Sequence, residues 1–325
     1  MRVLVYGAGG LGLYTAGRLA QAGHAVTVKG RAATVLALRD APLQIWRDGT
    51  YVEVSGINVV DDISAVRTPD LVLLATKADQ VRAAAAELAL PITGDSQVLT
   101  LQNGVDAPTE LAEVIGSERV LAGTTVVIAK RLSHSAVEIV GDEATMAIGV
   151  LPPGPAGDTA APSQQSRRVV EALRGAGIDA EWTGNVLGAL WRKLALIASY
   201  GGVGAVAGAT VGETRAIPET RELVELAMRE VFAVANALGA GLGDDDLAAI
   251  LRTYEHGFAP DTTASMQRDL AAGRPSELEY QNGAVLAHAK RLGIDVPIHR
   301  AIYASQLVRE QTARRVSQAL RTGRV

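Results

Sequence analysis

Short apolar runs and helix-compatible stretches alternate through the first half of the chain. Val3, Leu4 and Val5 form a run of the kind a buried parallel strand needs, and it leads at once into Gly7-Ala8-Gly9-Gly10-Leu11-Gly12. Residues 11–22 are helix-compatible, Gly23-His24 ends that stretch, and residues 25–28 (AVTV) read as a second strand. Further strands are expected over 71–75, 97–101 and 120–128, separated by helical stretches at 79–90 and 108–115. This alternation predicts a mostly parallel sheet with helices on both faces. Residues 137–140 and 145–150 read as a hairpin-like pair with Gly141-Asp142 as the turn. The Pro-, Gly- and Ala-rich stretch 151–165 is expected to be a surface loop, and a helix over 166–175 with a strand over 178–182 completes the first domain.

Past Gly184-Asn185 the strand signals vanish. Residues 194–211 carry no charge, yet Gly201, Gly202, Gly204 and Gly208 deprive them of the apolar weight of a membrane span, so a buried central helix is expected. Helices are also expected over 218–238, where proline and acids open the first turn and Gly239 follows the end, and over 244–254, 262–272, 276–292 and 298–317. The pattern predicts an α/β protein: an N-terminal Rossmann-type doubly wound sheet over 1–184 and a C-terminal all-helical domain over 185–325, with Asn185 as candidate helix cap.

Composition narrows the partners. A chain of 325 residues with 48% hydrophobic content can bury two cores. A net charge of −4 without basic runs offers nothing to nucleic acid or to an anionic membrane. With no cysteine, disulfides, iron–sulfur clusters and thiol nucleophiles are excluded, and a cytoplasmic location is expected because Met1 leads straight into the first strand, leaving no room for a signal peptide. His24, His134, His256, His288 and His299 are dispersed, so no metal site is expected.

The glycine cluster carries the first chemistry. Gly7 permits a tight turn, Gly9 lets backbone approach a pyrophosphate, and Gly12 lets the helix pack on its strand, while the helix N-terminus offers N–H groups to the phosphates. Where NAD sites place an acid at the end of the second strand, this chain has Lys29, Gly30 and Arg31, which suit the 2′-phosphate of NADP. Arg31 is otherwise a solvated surface charge. Lys77 and Asn103 follow expected strands at their C-terminal ends, where a crevice would open, or are ordinary polar loop residues. Lys193 lies near the start of an apolar helix, where desolvation would make its proton available unless it snorkels to the surface.

Taken together, residues 7–12, Arg31, 76–78, 101–105, 190–194, Ser265-Met266, Asp269, Arg274, 277–279 and Asn282-Gly283 resemble the ketopantoate reductase family, in order over almost the whole chain. The resemblance implies NADPH and reduction of a small-molecule 2-oxo acid to a 2-hydroxy acid, with a homodimer as the candidate assembly. It makes Lys193 the proton donor and a substrate contact, Glu277 its acidic partner beside the cofactor, Ser265 a substrate contact and Asn103 a shared contact. Lys77 and Ala129 become cofactor contacts, with Gly7, Ala8, Gly9, Gly10, Leu11, Gly12 and Arg31. The family's substrate-binding asparagines correspond here to Ile197, Gly201 and Thr262, an apolar surface and a gap in place of two amides. That departure predicts poor reduction of ketopantoate and a bulkier or less polar 2-oxo acid as substrate. A non-catalytic NADPH-binding sensor is the alternative class; retention of both Lys193 and Glu277 favours an enzyme.

Overall fold

Val3, Leu4 and Val5 are fully or almost fully buried on β1 (Arg2–Tyr6), and their alternation divides the core. Val3 and Val5 face one apolar cluster with Leu13, Tyr14, Ala16 and Leu19 of α1 (Gly10–Gln21), while Leu4 and Tyr6 face a second cluster on the other side. Helices therefore cover both faces, as a parallel sheet requires. Each such fully buried leucine contributes about 1.5–3 kcal/mol. This computed structural model describes residues 1–92, 94–152 and 161–322. By its internal contacts the chain divides into two units, Met1–Gln102 with Ala107–Val186, and Asn103–Asp106 with Leu187–Val325.

The first unit is a ten-stranded sheet in which seven of nine pairings are parallel, so the expectation of a mostly parallel sheet holds. Its central strands are β1, β2 (Ala25–Lys29), β6 (Leu71–Leu74), β7 (Gln97–Thr100) and β8 (Val120–Arg131). The helices between them are α2 (Ala32–Asp40), α3 (Val81–Leu88) and α4 (Ala107–Ile115). Three strands stand outside the expected set: β3 (Leu43–Arg47), β4 (Thr50–Val54) and β5 (Asn58–Val60). β3 and β4 form a hairpin closed by Asp48-Gly49, both at positive φ (49° and 77°), and Asp-Gly is the dipeptide such turns demand.

The hairpin expected at Gly141-Asp142 is not formed. Residues 136–149 are one strand, β9 (Ala136–Gly149), antiparallel to β8 along its length. Val126 faces Thr145 and Ile128 faces Val140, so two steps on β8 oppose five on β9 and Gly141, at φ +81°, lies in a bulge. Pairing with β8 on both sides of the bulge satisfies the ladder without a reversal; the chain reverses earlier, where Leu132 N–H donates to Ala136 O. Ser163 caps α5 (Gln164–Gly175), and β10 (Asp179–Trp182) joins β9 in parallel. Of the loop expected over 151–165, residues 153–160 lie outside the described residues.

All the regular secondary structure among the described residues of the second unit is helical. Residues 194–207 of the uncharged run lie within α6 (Val186–Ala207), which buries Leu190, Trp191, Leu194, Ala195 and Ala198, and the run ends beyond it. No described helix is long and apolar enough to cross a membrane. Then follow α7 (Val211–Ala216), α8 (Pro218–Ala237), α9 (Asp244–His256) and α10 (Ser265–Ala271). A π-helical turn, Glu279–Gly283, runs into α11 (Ala284–Leu292), and α12 (Pro297–Thr322) closes the unit. The helix expected from 262 starts only at Ser265, because Thr262 closes a turn on Ala259 and its carbonyl accepts the Val211 N–H.

Candidate active site

In the first unit the glycines make a cradle of bare backbone. Gly7 has φ +117°, and a Cβ there would lie 2.9 Å from the Ala75 and Thr76 backbone. Beside Gly9 there is open space, its nearest neighbour being Ala75 O at 4.0 Å. A Cβ at Gly10 would strike the Ala129 carbonyl, and one at Gly12 the Gly7 carbonyl. The structure thus sets Ala129 of β8 against the turn formed by Gly7, Ala8, Gly9, Gly10, Leu11 and Gly12. Gly9 occupies the N-cap of α1 and no side chain caps that end, which leaves N–H groups for an anion. Thr76 Oγ1 is buried without a partner at the end of β6, the kind of orphan a bound polar group would satisfy.

Arg31 is exposed at the N-cap of α2, immediately past β2. Lys29 is committed elsewhere: its Nζ donates to Asp61 O at 2.9 Å, pairs with Glu87 at 3.5 Å and lies over the Tyr6 ring. Arg31 is left as the cation of the three-residue strand end. Lys77 is exposed in the loop after β6. Gln102, buried after β7, donates to Leu74 O and Thr76 O and ties the ends of β6 and β7 together. Sequence reasoning passed over Arg131, whose Nη1 lies 3.4 Å from Ala8 O; nothing in the glycine motif marks a cation more than a hundred residues away.

In the second unit the chemistry gathers on α6 and the stretch around Glu277. Lys193 is partly buried, and burial pulls its ammonium down to about 8, against the neighbouring Glu277 charge, which pushes it up. It does not snorkel to an exposed position. Glu277 Oε2 accepts from Asn103 Nδ2 at 2.9 Å. The backbone at Glu277 is held on either side: Ser276 N–H and Oγ both donate to the buried Glu310, at 3.0 and 2.6 Å, and Leu278 N–H donates to Ser276 Oγ. Arg274 pairs with Asp269 just upstream. Glu310 carried no sequence signal, since it reads as one more polar position on a long helix.

Ile197 and Gly201 follow Lys193 by one and two turns of α6. The expected gap at Gly201 is closed, because a Cβ there would lie 2.6 Å from Ala264 Cβ. That contact brings the 262–265 turn against α6, with Thr262 partly buried and Ser265 exposed as the first residue of α10. In the π-helical turn, the buried Asn282 donates to Ala198 O while its Oδ1 lacks a partner. No group of three or more His, Cys, Asp or Glu that could hold a metal occurs among the described residues.

A Rossmann-type unit with a glycine cradle, followed by a helical unit that sets a lysine beside a carboxylate, defines the class of two-unit dinucleotide-dependent oxidoreductases. Within it, the chain belongs to the ketopantoate reductase family. The family model described as Ketopantoate reductase PanE/ApbA matches residues 3–153, and its C-terminal counterpart matches residues 185–310. The 2-dehydropantoate 2-reductase of Halobacterium salinarum is 30% identical over 303 residues, covering 93% of this chain and 96% of that one. The crystal structure of a PanE/ApbA family ketopantoate reductase from Ralstonia eutropha superposes with a TM-score of 0.86 at 30% identity, covering 97% of this chain and all of that one. D-mandelate dehydrogenase, solved with NADH and anilino(oxo)acetate, shares the fold at a TM-score of 0.85 and 22% identity over 97% of this chain and 99% of its own.

Proposed function

We propose that the protein is an NADPH-dependent 2-oxo acid reductase, a 2-dehydropantoate 2-reductase like its named relatives. The observation that carries the reading is Lys193, partly buried, lowered to about 8 and set beside Glu277 in a chain of this family. The glycine cradle with Ala129 and the uncapped start of α1 would hold the pyrophosphate, and Arg31 the 2′-phosphate, with Lys77 as a further cofactor contact. When bound, the reduced nicotinamide supplies the hydride.

Hydride arrival leaves negative charge on the substrate's carbonyl oxygen. Lys193 stabilises that charge and transfers its proton to the same oxygen, ending as a neutral amine. Burial loosens the proton relative to an ordinary lysine, while the Glu277 carboxylate keeps the resting group charged at neutral pH. Asn103 holds Glu277 by its amide and would share in binding cofactor and substrate. Ser265 and Thr262 supply hydroxyls near Gly201, and Ile197 supplies an apolar wall one turn from the lysine.

The reading is tested by following NADPH oxidation with ketopantoate, the same acid lacking its hydroxyl, and an aryl 2-oxo acid, with NADH in parallel. Turnover of ketopantoate with NADPH at a specificity constant near or above roughly 10⁴ M⁻¹s⁻¹ supports it. Preference for the less polar acids with poor turnover of ketopantoate would overturn the ketopantoate assignment in favour of the substrate shift expected from Ile197 and Gly201, and efficient turnover of ketopantoate would overturn that shift. Tight NADPH binding with no turnover of any carbonyl would replace the enzyme with a sensor.

A further inference from the structure

Asn103–Asp106 follow β7 along the chain but group by contacts with the second unit. Three attachments hold them there. Asn103 Nδ2 donates to Glu277 Oε2 at 2.9 Å. Gly104 adopts φ +103°, and a Cβ there would come within 2.6 Å of Tyr280 O, so only glycine lets the segment lie this close. Asp106 Oδ1 lies 2.7 Å from His288 Nε2 on α11. The reaction as derived uses the first attachment and leaves the third without a role.

The Asp106 carboxylate can only accept, so His288 Nε2 donates in that bond. Arg291 Nη2 lies 2.7 Å from His288 Nδ1 and 3.3 Å from Nε2, close to both ring nitrogens. Trp191 packs edge-on against the ring at 5.2 Å and 84°, and the His288 side chain keeps 12% of its exposure. The ring is thus held by Trp191 packing on one side and by the Asp106 bond at Nε2. Trp191 is two residues from Lys193 on α6, so one helix supplies both the proton donor and the support for this ring.

We propose that Asp106 and His288 are positioning residues of the reductase: their bond clamps the Asn103–Asp106 segment, so that the Asn103 amide holds the Glu277 carboxylate in the orientation from which it acts on Lys193. This rests on the reductase reading above. The clamp acts at a distance, touching neither substrate nor cofactor. A misplacement of about 1 Å in a reacting constellation can cost up to ~10²-fold in rate.

The test uses the full-length protein and four variants. Asp106→Ala and His288→Ala lose the bond, whereas Asp106→Asn keeps an acceptor oxygen and His288→Gln keeps a donor N–H. The expected result is a loss of roughly tenfold or more in kcat in both alanine variants. Their KM values should change less, Tm should stay near wild type, and the Asn and Gln variants should retain most of the activity. Hydrogen exchange gives a second readout that needs no turnover: amides in 103–106 and 279–283 should lose protection together in the alanine variants only. Wild-type kcat and protection in both alanine variants would overturn the proposal, as would equal losses in the alanine and conservative variants. Failure of the reductase reading looks different, as absence of turnover in the wild type, and the exchange result still decides whether the clamp exists.

Discussion

The two units carry their candidate functional groups by different means. In the first, the glycine cradle is backbone: Gly7, Gly10 and Gly12 let the turn pack where a Cβ would collide with Ala75, Ala129 or Gly7, and open space with uncapped N–H groups lies at Gly9. In the second, Lys193, Glu277 and Asn103 are side chains whose properties come from what surrounds them. A backbone device is written in local sequence, since glycine spacing alone sets it. A side-chain device depends on residues far away along the chain, and its chemistry emerges only after folding.

The contrast can be broken or sharpened experimentally. Lys193→Ala should lower kcat by roughly 10²–10⁴-fold while leaving NADPH affinity near wild type, because it removes the proton donor and leaves the cradle intact; fluorescence titration of NADPH beside steady-state rates would separate the two. Arg31→Ala should do the reverse, leaving kcat with saturating cofactor largely intact while the preference for NADPH over NADH falls roughly 10- to 150-fold, as expected from losing a charge-assisted bond of about 1.5–3 kcal/mol. Competition between the two cofactors in one assay would show it. Gly10→Ala drives a Cβ into the Ala129 carbonyl, so it should cost about 1–3 kcal/mol of stability and raise the KM for NADPH, read by thermal melts and kinetics together. The smallest effect is expected at Ile197→Asn, which should shift the ratio of specificity constants toward the hydroxylated 2-oxo acid by a few-fold without changing either cofactor parameter, since one new hydrogen bond is worth about 1 kcal/mol.

Much of the first unit was legible in the sequence because strand and helix there are punctuated locally. β1, α1 and β2 follow from one apolar run, one glycine turn and one amphipathic stretch. β3 and β4 were missed although Asp48-Gly49 marks their turn, because β4 is an exposed strand at the sheet edge and lacks an apolar run. Gly141-Asp142 misled for the opposite reason: the dipeptide permits a turn, but β8 offers a ladder long enough to carry the chain past it as a bulge. In the second unit Lys193 was visible as an anomaly in an apolar helix, with either burial or snorkelling open to it. Burial beside Glu277 is a tertiary outcome. The closed space at Gly201, the Glu310 support behind Glu277 and the His288–Asp106 bond each join residues more than thirty positions apart, beyond the reach of local spacing.

The central claim is that Lys193 exchanges a proton with the substrate oxygen from a position where burial has lowered it to about 8. The protonated form is required for reduction and the neutral form for oxidation of the 2-hydroxy acid. Steady-state kcat measured in both directions across pH 6–10 tests this most directly. The account predicts that reduction falls and oxidation rises as pH passes through about 8, and that Glu277→Gln moves both transitions to lower pH by removing the charge that favours the ammonium. Profiles that stay flat through that region in both directions would contradict it.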